Sequence, residues 1–97
     1  MSRKRSKAYR RVMEALSEIG PSKLHAGEQD RIRYAADNLI FSRDLLEDVA
    51  AQEALVDVER LCRALIHSGR WEEVSALRLA DDVRLCGPET AADLKAA

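Results

Sequence analysis

A chain of 97 residues with 46% hydrophobic and 34% charged content has the balance of one folded globular domain, and it is too short for two. No apolar stretch approaches the ~18–20 residues of a membrane span. No apolar core follows the basic start Met1-Ser2-Arg3-Lys4-Arg5, so a secretory signal is not expected and a cytoplasmic protein is the default.

Residues 1–6 read as a basic flexible arm. Tyr9, Val12, Met13, Leu16 and Ile19 recur at i, i+3, i+4 and i+7, which predicts a first helix over 7–19 with Ser6 as N-cap. Gly20-Pro21 ends it, and 22–26 form a connector. A second helix over 28–41 carries Ile32, Ala35, Ala36, Leu39 and Ile40 on one face. Residues 28–68 contain neither glycine nor proline, so this stretch lacks the turn chemistry of a β-hairpin and must be helical.

A single straight rod does not fit that stretch, because its apolar face swings by more than a right angle at Leu45, Leu46 and Val49. A break at 42–44 absorbs the swing, with Ser42 capping and Phe41 stapled to Leu46, or with Asp44 capping. The third helix then runs over 44–67. Its apolar face turns again towards Val58, Leu61, Cys62, Leu65 and Ile66, with no capping residue at the change. The expectation is one continuous helix packed on two sides, with Ala50, Ala51 and Ala54 permitting close approach. Gly69 closes the turn into a fourth helix over 70–86, which Gly87-Pro88 stops. The tail over 88–97 adds at most one frayed turn. The fold class is all-α: an up-and-down bundle of four helices within one domain over 7–87.

Chemical motifs are scarce. Four ligands of zinc type cannot be assembled locally around His25 or His67, the four glycines cradle no phosphate, and no catalytic motif occurs. No catalytic residue, cofactor, metal or small-molecule substrate is expected, and the chain is not read as an enzyme. Cys62 and Cys86 lie roughly 13 Å out of axial register on neighbouring antiparallel helices, too far for a disulfide. They read as free, buried thiols.

Charge is unevenly distributed. Arg3, Lys4, Arg5, Lys7, Arg10 and Arg11 precede the first acid, Glu14, while the remainder holds ten basic and seventeen acidic residues. Such an arm suits salt-dependent, sequence-blind nucleic-acid binding. A helix-turn-helix reading around Gly69 fails because Glu72 and Glu73 would meet phosphate. The acids Asp44, Glu47, Asp48, Glu53, Asp57 and Glu59 crowd the third helix. A face of Leu45, Val49 and Val56 with Asp44, Glu47 and Asp48 is the candidate partner-binding surface. Trp71, the only tryptophan, is expected as a core anchor.

The segment Ala64-Leu65-Ile66-His67-Ser68-Gly69-Arg70-Trp71-Glu72-Glu73-Val74 resembles the turn of a tetratricopeptide-type helical hairpin. It has the apolar pair, the glycine, the aromatic and the acidic pair. The likeness is confined to this one hairpin, without a second copy at the ~34-residue period, and implies protein–protein binding. The expected function is a small interaction module, an adaptor or an inhibitor, with self-association through the third helix or binding to another protein. The alternative is a nucleic-acid-binding accessory protein using the basic arm.

Overall fold

The computed structural model describes residues 3–88. Four helices, α1 (Arg3–Glu18), α3 (Ala26–Phe41), α4 (Val49–His67) and α5 (Glu73–Leu85), and a single turn of helix, α2 (Gly20–Lys23), make up the chain order. Each long helix lies against two neighbours in the ring α1–α3–α4–α5, and α3 also meets α5 across the core. The result is the expected four-helix bundle.

The predicted stripes form the core. Val12 and Leu16 of α1, all five of Ile32, Ala35, Ala36, Leu39 and Ile40, and Val58, Leu61, Cys62 and Leu65 of α4 are buried. Ala76, Leu79 and Val83 close it from α5, and Trp71 is buried as the expected anchor. Tyr9, Met13 and Ile19 pack at its edge. Gly87 passes so close to α3 that a Cβ there would meet Leu39 Cδ2 at 3.0 Å.

Helix boundaries depart from expectation where side chains redirect them. Residues 3–6, expected as arm, are the first turn of α1. Met1, Ser2 and the tail over 89–97 lie outside the described residues. Gly20-Pro21 opens α2 instead of a connector, since proline near a helix start loses no needed N–H. The Ile19 carbonyl accepts from the Ser22 and Lys23 amides at 3.2 and 3.0 Å. α3 starts at Ala26 because Glu28 reaches back to accept from the His25 amide at 2.8 Å, half of a capping box.

The largest correction concerns α4. It begins at Val49, not at 44, because Asp48 is the cap that closes: its Oδ1 accepts from the Ala51 amide at 3.0 Å. Asp44 instead makes a side-chain turn, accepting from the Leu46 amide at 3.0 Å. Leu45 and Leu46 therefore belong to a connection, and the apparent mid-helix swing vanishes. α4 buries one face, not two. The expected Phe41–Leu46 staple is absent, as those side chains are 78% and 76% exposed.

The turn into α5 follows the glycine rule. Gly69 takes a positive φ of 75°, and the Arg70 and Trp71 amides both donate to the Leu65 carbonyl, at 3.1 and 3.2 Å. This turn holds residues 70–72, so α5 starts at Glu73 rather than at 70.

Candidate functional site

The basic cluster divides into one structural arginine and an exposed face. Arg5 is half-buried and reaches the C-terminal ends of two helices at once. Its Nε donates to the Cys86 carbonyl at 2.9 Å, and its Nη2 donates to the carbonyls of Leu39, Ile40 and Ser42 at 2.8, 3.1 and 2.8 Å. Those carbonyls cluster at the C-terminal end of α3 and in the turn ending α5, where backbone acceptors outnumber donors and cations suit the helix dipoles. Arg5 is thus a clamp on the fold, not a free phosphate ligand. Arg11 is engaged as well, its Nε donating to Asp82 Oδ1 of α5 at 2.9 Å.

Arg3, Lys4, Lys7 and Arg10 remain, all exposed on the outer side of α1. Among the described residues no carboxylate stands within ion-pair distance of these four. Arg3 and Lys4 sit in the first turn of a helix that has no acid there, where the dipole disfavours cations, and Lys7 and Arg10 continue the same side of α1.

At the opposite end of the bundle Arg70 mirrors Arg5. Its guanidinium meets both Glu28 oxygens at 3.0 and 2.8 Å, and Nη2 also donates to the Lys23 carbonyl at 3.1 Å. Hydrogen bonds from Arg70 and from the His25 amide bring the Glu28 carboxyl down to about 2. Arg31 makes a two-pronged bridge to Asp57 at 2.9 and 2.7 Å, joining α3 to α4, and lowers the Asp57 carboxyl. The Tyr9 hydroxyl donates to Asp37 at 2.6 Å, tying α1 to α3. That bond raises the Tyr9 phenol.

The predicted partner face is partly reassembled. Leu45 is half-buried and packs on the core, so it is not available to a partner. Val49 and Val56 point outward from α4, and Val49 is 61% exposed. Sequence reasoning missed their companions Tyr34 and Phe41 on the outer side of α3, and Leu46 in the connection, all exposed. Tyr34 and Phe41 are seven residues apart on the side opposite Ile32 and Leu39, and that spacing was the available signal. Asp44 and Glu47 are exposed beside them, and Asp48 borders a notch formed with Tyr34, Asp37, Asn38 and Phe41.

Both cysteines are free and buried. Burial pushes the Cys62 thiol up to about 11 and the Cys86 thiol to about 12, so both are protonated at neutral pH. Among the described residues no cluster of three histidine, cysteine or acidic side chains is placed to hold a metal ion. Nor, among them, is any helix long and apolar enough to cross a membrane. Compared with protein-family models, curated proteins and solved structures, the chain matches none.

Proposed function

We propose that this chain is a non-enzymatic protein-interaction module, an adaptor or inhibitor that docks a larger protein through the corner built by α3, the 42–48 connection and α4. The observation that carries the reading is the exposure of Phe41, Leu46 and Val49, at 78%, 76% and 61%. Single exposed apolar residues are ordinary, but grouped ones mark contact surfaces. Of the seven large exposed hydrophobics among the described residues, five (Tyr34, Phe41, Leu46, Val49 and Val56) lie on these two helices and their connection. The test is quantitative affinity capture with the tagged chain against its Leu46→Ser/Val49→Ser variant. A protein retained by the parent and lost by the variant is expected. Identical capture profiles would sink the reading.

The outer side of α1 favours a second reading, nucleic-acid binding through Arg3, Lys4, Lys7 and Arg10. Four cations along one side of a helix, without ion pairs among the described residues and two of them in its first turn against its own dipole, suit a polyanion. Fluorescence anisotropy with a labelled DNA duplex should then show affinity that falls steeply with salt and is lost on changing Arg3, Lys4, Lys7 and Arg10 to glutamine. Unchanged binding by that variant rules the second reading out.

A further inference from the structure

We infer that the α3–α4 corner receives an arginine-bearing apolar segment of another protein, with the guanidinium seated in the notch of Tyr34, Asp37, Asn38, Phe41 and Asp48. The inference rests on the corner being a protein-docking face and adds the chemistry of the occupant.

The notch offers acceptors beside two aromatic rings, and no cation lines it. Asp37 Oδ1 accepts from the Tyr9 hydroxyl, and Asp48 Oδ1 from the Ala51 amide. The second oxygen of each carboxylate has no hydrogen-bond partner among the described residues. Asn38 Nδ2 donates to the Tyr34 carbonyl at 2.8 Å, which leaves its amide oxygen as a third acceptor. A planar guanidinium with five donors satisfies divergent oxygens while stacking on a ring; an ammonium is a point charge and does not match that geometry.

The surroundings select the same sign of charge. Asp44, Glu47, Asp48 and Glu53 flank Phe41, Leu46 and Val49, with only Arg43 among them. None of the four acids is in an ion pair among the described residues. A second copy meeting this corner through its own would set Asp44, Glu47 and Glu53 against like charges, which is repulsive. The cationic surface on α1 carries no large exposed apolar side chain, and the exposed pair Val74 and Leu77 on α5 has Glu72, Glu73 and Asp81 beside it against Arg78, so neither surface offers a basic apolar match for Phe41, Leu46 and Val49. A basic, apolar segment of a different protein answers both requirements.

Three blocked amphipathic peptides of leucine and alanine, identical except for arginine, lysine or glutamine at the polar positions, test this against the isotope-labelled full chain by amide chemical-shift titration. The arginine peptide should shift the amides of Tyr34, Asp37, Asn38, Phe41 and Asp48 saturably, at least fivefold tighter than the lysine peptide. The Asp37→Asn/Asp48→Asn variant keeps a cap for α4 and an acceptor for Tyr9, and should abolish that preference. Equal affinity for arginine and lysine, an undiminished preference in the variant, or no shifts at these amides would overturn the inference. A glutamine peptide that moves Leu46, Val49 and Val56 as strongly as the arginine peptide also overturns it, while leaving the docking face in place. Failure of the docking face itself is read separately, from the Leu46→Ser/Val49→Ser capture.

Discussion

Replacing Arg5 with methionine keeps the aliphatic stem and removes every donor, so it isolates what the guanidinium does. Two of its nitrogens serve four carbonyls, those of Cys86, Leu39, Ile40 and Ser42. Hydrogen bonds from a charged donor contribute about 1.5–3 kcal/mol each, and a cation at a helix C-terminus about 0.3–1 kcal/mol more. The bonds share one rigid group and a half-exposed site, so the terms do not add fully. A loss of about 2–4 kcal/mol is expected, a large part of the roughly 5–15 kcal/mol by which such domains are stable. The melting temperature should fall by at least about 8 °C for a domain of this size. Urea unfolding followed by circular dichroism at constant m measures it. Arg5→Lys should recover part of the loss, since an ammonium lacks the fork that reaches both helix ends. Lys4→Met and Lys7→Met, exposed neighbours on the same helix, should cost no more than about 0.5 kcal/mol. If Arg5→Met behaves like those two, the clamp is not what holds α1 to the ends of α3 and α5.

Asp48→Ala should destabilise by about 1 kcal/mol through loss of the α4 cap, while Asp48→Asn should be nearly neutral, both read from urea midpoints; equal effects would refute the cap. Ser42 is buried at 4% exposure, and its hydroxyl has no hydrogen-bond partner among the described residues. Ser42→Ala should therefore be neutral or slightly stabilising, whereas a capping role would make it cost about 1 kcal/mol. Glu28 has a folded value of about 2 against 4.5 unperturbed, so its contribution is complete above pH 4.5 and is lost as the pH falls towards 2. Thermal melts across that window should drop more steeply for the parent than for Glu28→Gln; parallel curves would refute the Glu28–Arg70 link. Sedimentation at physiological salt should return the 10.9 kDa monomer, because the acidic corner repels its own copy.

The parts of the fold legible in the sequence are those set by local periodicity. Ile32, Ala35, Ala36, Leu39 and Ile40 announce a buried helical face by spacing alone, and all five are buried. Gly69 announces its turn because only glycine readily takes its positive φ. The start of α4 was not legible: Ser42, Asp44 and Asp48 are all good caps within seven residues, and placing Leu45 and Leu46 outside the helix is a tertiary choice. Once they were counted as helical, a swing of the apolar face followed that the molecule does not have.

The role of Arg5 was hidden for a deeper reason. Its partners lie 34 to 81 residues away and are backbone carbonyls, so no side-chain pattern marks them, and among six cations it looks like any other. Arg5 holds the N-terminal end of α1 to the C-terminal ends of α3 and α5. Arg70 does the converse at the far end, tying the turn after α4 to the start of α3. The Arg5 contacts are satisfied when α1 runs antiparallel to α3 and α5, and the Arg70 contact when α4 runs antiparallel to α3, so the two arginines discriminate between bundle topologies that an alanine- and leucine-rich core would fill about equally well. This separates the charges by task. Arg5, Arg11, Arg31 and Arg70 are bound into the frame, while exposed charges without ion pairs among the described residues, including the cations on the outer side of α1 and the acids around Phe41, Leu46 and Val49, are left to face other molecules.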